Sequence, residues 1–472
     1  MARIAVIGAG MGAMATAARL AVAGHQVAVY ERGATYGGAV GRYEREGFAF
    51  DTGPGLLHLP AVYRDLFVKT GKRSLEDCVD LVQVDPAVRH VLPHHGIDVA
   101  LPGASHGGVA AALDTAFGQG AGERWNALLG RARDAWDATR RPLLEEPLRD
   151  GARQALREDP YPALRRSGLL RRRPPTLGEV ADRELGGALG ELLTGVVRTY
   201  GIDPATAPGS ATVLPYMEQT FGSWYVRGGM RALATAVYER CLERKVAFAF
   251  GAEVREVLVR DGRAAGLLLA DGSEVAADHM VCAVDPRQLS VGPPLRPADA
   301  APARGPEAPG RITLLLALRG ARPAAAVHRT LVHAPAAQVT VVRPDDPATR
   351  PDAEHEAVTV SAVYGPGTSE PGELLNLAEK AVQGLRERLL WQEVRTPADV
   401  EAATGAPGGA VPPPSLAGAG GRLLRPANTT DVPGLYLAGG WAHPGGGLPH
   451  AGMTGALVAG LIVEGADFRG SQ

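Results

Sequence analysis

The stretch from Arg3 to Glu31 constrains the fold of this chain more than any other. Ile4 to Ile7 is a short apolar run, Gly8 to Gly12 is a glycine turn, and Ala13 to Ala23 is an Ala/Leu/Met helix ended by Gly24. A second apolar run, Gln26 to Tyr30, leads to Glu31. Counted from Gly8, Glu31 stands close to the roughly 20-residue offset at which an acid meets a ribose hydroxyl. The pattern is a βαβ unit around a phosphate turn. Gly8 permits the tight turn, Gly10 lets the backbone approach a pyrophosphate, and the helix start supplies free N–H groups and a positive dipole end. Ala13 stands at the third position, which the pattern allows. By itself this unit leaves NAD, NADP and FAD open, although Glu31 would repel a 2′-phosphate.

Composition narrows the class without naming a ligand. At 472 residues, length suggests about three domain-sized units, and a discontinuous two-domain enzyme of this size is equally normal. A formal net charge of −2 gives no global field to recruit nucleic acid, so no nucleic-acid partner is expected. Cys78, Cys241 and Cys282 are far apart, odd in number and without metal spacing, which predicts reduced thiols, a cytoplasmic protein and no metal site. The apolar start is not expected to act as a signal peptide, because Gly8, Gly10 and Gly12 interrupt it and complete the βαβ unit. No run of 18 apolar residues predicts a transmembrane helix.

Three further blocks choose among the dinucleotides. Thr35 to Gly38 is followed by Gly47 to Pro60, with its Asp51-Thr-Gly-Pro segment; Gly228 to Cys241 leads into Ala252 to Val259 and Asp271 to Pro286; and Gly434 to Gly460 carries His443-Pro-Gly-Gly-Gly447. At these residues the chain resembles the phytoene desaturase (carotenoid desaturase) family of FAD-dependent oxidoreductases, within the wider amine oxidase and GDP-dissociation-inhibitor-like group. The resemblance is strongest over 3–60, 220–290 and 420–465.

It implies an α/β fold: a Rossmann-like FAD-binding domain from 1–105, 220–290 and 420–472, a helical cap over 106–219, and a discontinuous α+β substrate domain with its sheet and helix in 291–419. It also implies the cofactor contacts. Gly8, Gly10, Met11 and Gly12 would approach the pyrophosphate, Glu31 and Arg32 would meet the adenosine, and Val254 would meet the adenine through its main chain. Gly38 and Ala39 would lie by the phosphates, Gly439 and Gly440 beside the ribityl-pyrophosphate, and Gly447, Leu448 and Met453 under the isoalloxazine. One departure stands out. Family members usually carry Arg where this chain has Ala39, and losing that contact weakens flavin retention by roughly 1.5–3 kcal/mol unless another group, with Arg42 the nearest, substitutes.

Between the flavin blocks, Leu113 to Phe117, Gly122 to Leu143 and Thr176 to Tyr200 show apolar residues at helical spacing. Ile312 to Leu318, Gln338 to Val342 and Ala357 to Val363 predict strands, followed by a helix from about Pro371 to Trp391. Pro293 to Gly310 and Gly405 to Gly421 are Gly/Pro-rich loops. Leu164 to Pro175 carries five arginines around Leu169 and Leu170. It reads either as a solvated turn or as a peripheral membrane contact through Arg165 to Arg173, at about 1 kcal/mol per arginine on anionic headgroups.

The expected chemistry is dehydrogenation, with hydride transfer to flavin and a proton to a base, while the protein supplies position and desolvation. His450, at the turn into the last helix, is the first candidate for base or for donor to the reduced flavin, or else caps its loop. His443 fits a structural turn better, and His58, in the strip after Asp51, is the second catalytic candidate. Asp51 is expected to anchor its own loop. Tyr216, Trp224 and Tyr225 wall a substrate tunnel or fill core. The leading expectation is a desaturase for a hydrophobic substrate such as a carotenoid precursor, passing electrons to oxygen or a quinone. The alternative is a secondary-metabolite tailoring oxidase for a soluble, heteroatom-bearing substrate. A non-catalytic binder is disfavoured by the intact glycine turn and C-terminal block.

Overall fold

The computed structural model describes residues 1–103, 105–164, 173–292, 308–335, 337–365 and 367–471. The architecture is mixed α/β, with a Rossmann-like layer, further sheets and a helical layer. Arg165 to Arg172, and most of the Pro293–Gly310 loop, lie outside the described residues.

Strand β1 (Arg3–Ile7), helix α1 (Met11–Val22) and strand β2 (Gln26–Glu31) form the expected unit. β1 is the central strand of a five-stranded parallel sheet, ordered 247–250, β2, β1, 279–282, 435–437. Its register aligns Ile4 with both Val27 and His279. A strand covered on both faces must be apolar throughout, and Ile4, Val6 and Ile7 are buried accordingly. The first and last segments of the chain thus enter one sheet, joined through the strand His279–Cys282.

α1 packs along the last helix, Leu448–Val463. Small residues make the approach close: a Cβ at Gly455 would lie 2.8 Å from Ala15 backbone.

The second large sheet has seven strands in the order 389–395, 311–319, 355–363, 338–342, 329–333, 88–92, 97–101. Its last two members change the expected division of the chain. The hairpin Val88–Leu101 falls in the 1–105 block assigned to the flavin domain, but it extends this sheet through a parallel pairing of Thr330 with Arg89. An edge strand with unpaired backbone groups is completed by any strand that reaches it.

The helix expected over Pro371 to Trp391 is also corrected. It ends at Ala378, and after Gly384, in the left-handed region at φ 63°, the chain turns into the edge strand Leu389–Arg395, with Trp391 opposite Ala317. The strand Arg311–Arg319 offers an open ladder there, and satisfying it outweighs local helix propensity.

The helical layer comprises His106–Phe117, Ala121–Arg140, Leu177–Glu184 and Gly187–Arg198, among others. The single helix expected over Thr176 to Tyr200 is broken at Gly186, φ 71°. Thr176 starts its first half with a reciprocal cap to Glu179. Among the described residues, no helix is long and apolar enough to cross a membrane.

Candidate functional site

The glycine turn and the C-terminal block meet at the carboxyl ends of the parallel strands, where ligands bind in open α/β sheets. Gly8 adopts φ 89°, and its Cβ would fall 2.8 Å from Val284 Cγ1, so neither the turn nor the neighbouring strand tolerates a side chain. Gly12 faces the other way, with Gly439 Cα 2.9 Å from where its Cβ would be. Gly10 differs from both, since a Cβ there would meet nothing within 4 Å.

That open cradle is ringed by donors. Gly10 is the N-cap of α1 and Gly447 that of the last helix, and neither helix has a side-chain cap, so both N-termini present free N–H groups. The Glu31 carboxylate is fixed at the rim, accepting Ala9 N–H at 2.8 Å and Gly33 N–H at 2.7 Å. Residues 251–254 run past it, with Ala252 N–H donating to Glu31 O at 2.9 Å, which brings Val254 to this end. Gly38 and Ala39 are exposed beside the cradle, and Gly37 N–H donates to Ala9 O at 2.8 Å. Two uncapped helix starts, a bare glycine surface and a positioned carboxylate fit a dinucleotide with an unmodified ribose.

The structure gives the remaining expected contacts different surroundings. Arg32 donates to the carbonyls of Glu401 and Ala402, at the end of the helix Pro397–Thr404. Arg42 is engaged by Glu44 Oε1 at 2.6 Å and by the Gly228 carbonyl at 2.6 Å. The guanidinium that holds the 35–40 loop is Arg231. It donates to Tyr36 O, Val40 O (3.2 Å) and Thr35 Oγ1 (2.6 Å), and it lies 4.1 Å from the Tyr36 ring centre. Sequence reasoning missed Arg231, whose only signal was its place directly after the Gly228-Gly-Met turn.

Asp51 accepts Met230 N–H at 3.0 Å, so it ties its loop to that same turn. Burial pushes its pKa up to about 6, against backbone hydrogen bonds and the Arg42 charge.

Of the catalytic candidates, His450 is buried and His58 is half-buried. His450 lies in the first turn of the last helix, and among the described residues its Nδ1 has no hydrogen-bond partner. Burial, helped by the His443 charge, lowers its pKa to about 4, so the ring is neutral at physiological pH. His450 lines a narrow chamber with Trp136, Leu143, Met217 and Ser415.

His443 is tied into its turn by hydrogen bonds, while its Nδ1, like that of His450, has no partner among the described residues. Its Nε2 is 2.9 Å from the Glu146 carbonyl, and its own carbonyl takes hydrogen bonds from Asn428 (2.7 Å) and Thr454 (2.9 Å).

His58 heads a buried polar group that sequence reasoning did not find. Its Nε2 is 3.9 Å from Glu218 Oε1, and Glu218 also accepts Arg329 Nη1 and Tyr200 Oη, each at 2.7 Å. Burial raises the Glu218 pKa, but Arg329, His58 and these hydrogen bonds more than reverse it; burial lowers that of His58. The four residues come from separate stretches of sequence, so no local spacing announces them.

Next to the His450 chamber, and sharing Trp136, Arg140 and Leu144 with it, is a cavity of about 660 Å³. Leu59, Val62, Trp136, Leu144, Phe221 and Met453 make its apolar wall, while Asp65, Arg140, Arg141 and Glu145 bring charge to it. Tyr216 packs against Trp136 behind this wall, at 6.5 Å between ring centres. Trp224 donates to Phe221 O at 2.9 Å, and Tyr225 is buried with its hydroxyl on Asp346. These aromatics back the cavity wall or fill core.

Comparison with known proteins gives the family. The profile of flavin containing amine oxidoreductases matches residues 14–463, so the chain belongs to that family. A 4,4'-diapolycopene oxygenase from Methylomonas sp is 26% identical, covering 98% of each chain. A hydroxyneurosporene desaturase from Rubrivivax gelatinosus is 28% identical over 98% of this chain and 94% of its own. Putrescine oxidase with putrescine bound superposes with a TM-score of 0.69 at 16% identity, over 98% of this chain and 99% of its own, and so shares the fold. A FAD-dependent oxidoreductase of this superfamily is the class to which the chain belongs.

Proposed function

We propose that this member of the flavin containing amine oxidoreductase family is a desaturase, dehydrogenating a hydrophobic substrate such as a carotenoid precursor. The observation that carries this reading is the 660 Å³ cavity, whose wall of Leu59, Val62, Trp136, Leu144, Phe221 and Met453 adjoins the His450 chamber. Apolar lining with a few placed polar groups is what an apolar ligand needs. Two relatives that align over 98% of this chain, one named for diapolycopene and one for hydroxyneurosporene, support the substrate class.

In this reading the helical layer is a cap over the flavin, and the seven-stranded sheet is the floor of a substrate domain. The cradle at Gly8–Gly12, with Glu31, Gly38, Ala39 and Val254, holds the dinucleotide, and Gly439, Gly440, Gly447 and Leu448 line its flavin end. FAD held there would supply the two-electron oxidation of the substrate. His450, kept neutral by burial, takes the accompanying proton on its unpartnered Nδ1. His58, backed by Glu218, serves as the second polar group of the site. The cavity wall excludes water and holds the substrate carbons at a fixed distance and face. Oxygen or a quinone is the final acceptor. We further infer a cytoplasmic protein that touches the membrane through Arg165 to Arg173; replacing Arg171, Arg172 and Arg173 with Ala abolishes sedimentation with anionic vesicles if this holds, and leaves it unchanged if it does not.

A second reading rests on the charged residues of the cavity. Asp65, Arg140, Arg141 and Glu145 suit a soluble, heteroatom-bearing substrate and a tailoring oxidase. Product mass separates these readings. A desaturase returns a polyene with two hydrogens fewer and no added oxygen, whereas an oxidised heteroatom compound as sole product contradicts the desaturase reading. Ala61→Trp, at the cavity wall, is expected to lower kcat/KM at least about tenfold with flavin content unchanged.

A further inference from the structure

On the rim of the seven-stranded sheet, a set of side chains has no part in the redox site. The strands Val88–Leu92 and Ile97–Leu101 are joined by the single turn Pro93–His95, closed by Gly96 at φ 66°. This puts two consecutive histidines at a hairpin tip. The helix Gly187–Arg198 brings Glu191 against them, with His94 Nε2 2.7 Å from Oε2 and His95 Nε2 2.9 Å from Oε1. The imidazole rings are 4.3 Å apart and inclined at 47°, so both Nε2 atoms converge on one carboxylate.

We propose that His94, His95 and Glu191 form a binding site for a divalent transition metal of the imidazole-preferring kind, zinc first, which cross-links the sheet hairpin to the helical layer. The ligand atoms of the three residues lie within 4.8 Å of one another. Zinc bonds of about 2.0–2.2 Å to nitrogen and oxygen set ligand atoms roughly 3.3 Å apart, so shifts of on the order of 1 Å complete the shell, with water in the fourth position. Two imidazoles and one carboxylate disfavour calcium and magnesium, which take oxygen donors.

The helix that supplies Glu191 is held from beneath. His333 lies against Gly195 of that helix, where an added Cβ would overlap its ring, and its Nε2 is 2.9 Å from His90 Nδ1. Such outer contacts fix the position of a ligand. The same helix ends just before Tyr200, the partner of Glu218 beside His58, so the clip steadies a segment that reaches the redox site.

The test uses untagged, flavin-loaded protein, stripped with a chelator and titrated with zinc chloride against a chromophoric competitor. One zinc per chain with a micromolar or tighter Kd is expected, together with a rise in Tm of about 1–3 °C. Glu191→Gln, and the double variant His94→Ala with His95→Ala, are expected to weaken binding at least tenfold and to remove the Tm rise, with flavin absorbance unaltered. Cys78→Ser binds as the parent does. Zinc affinity unchanged in Glu191→Gln, or the absence of binding by the parent protein, overturns the proposal.

Discussion

Gly12 and Gly439, from opposite ends of the chain, face each other so closely that a Cβ on Gly12 would lie 2.9 Å from Gly439 Cα. The contact joins the glycine turn at one end to the flavin block at the other, and it is backbone on both sides. Neither partner has a flexible side chain that can yield. Gly12→Val is therefore expected to cost about 1–3 kcal/mol of stability and to abolish flavin retention. Thermal unfolding and the ratio of flavin to protein absorbance check this, and parental values in both would contradict the packing.

The phosphate loop lacks a cation at Ala39, and Arg42 is held by Glu44 and the Gly228 carbonyl. Ala39→Arg should tighten FAD about tenfold or more, as a new charge-assisted contact does. Arg42→Ala should leave FAD affinity within about threefold, since hydrogen bonds that do not reach the ligand do not add to it. Reconstitution of the apoprotein gives both constants. A large loss in Arg42→Ala would show that this arginine reaches the phosphates.

His450→Ala is expected to slow anaerobic flavin reduction by roughly 10²–10⁴-fold, with the bound-flavin spectrum little changed. With its pKa lowered to about 4 by burial, His450 stays a free base throughout the neutral range. The reduction rate should therefore be flat from about pH 6 to 8 and fall as pH approaches 4. A loss below about threefold in single-turnover reduction removes His450 from proton transfer.

Acid should destabilise the fold early. His328, His333, His443 and His450 each have a pKa lowered from 6.5 to about 4, chiefly by burial. The unfolded chain binds these protons first, so stability is complete above pH 6.5 and declines as pH falls towards 4, by on the order of 2 kcal/mol per histidine at pH 5. Asp51 acts oppositely: its pKa is raised to about 6, and its contribution is full below 3.8 and lost as pH rises through 6. Four histidines outweigh one carboxyl. Urea midpoints should drop between pH 7 and 5, and His450→Gln should flatten part of that slope; a midpoint independent of pH contradicts the buried neutral rings.

Local pattern was enough wherever one stretch of chain carries its own reason. The βαβ unit was legible because the apolar runs, the glycines and Glu31 follow one another without interruption from Arg3 onward. The strands Arg311–Arg319 and His355–Val363 were legible from apolar runs. Sequence reasoning failed where a distant partner decides. Leu389 to Arg395 became a strand because the edge at Arg311–Arg319 was open, and the hairpin Val88–Leu101 left its sequence block for the same physical reason. The His58–Glu218–Arg329–Tyr200 group exists only once the helical layer closes on the sheet. Charged residues met one at a time read as surface, and burial in company gives them their role.

The most direct test of the desaturase reading is an anaerobic flavin-bleaching screen of the purified protein. It would set carotenoid-type polyenes in liposomes beside soluble cyclic amines and other heteroatom-bearing compounds. Bleaching by a polyene, with a product two hydrogens poorer, is the expected result. Bleaching by the soluble compounds alone would contradict it and assign the same scaffold to a tailoring oxidase.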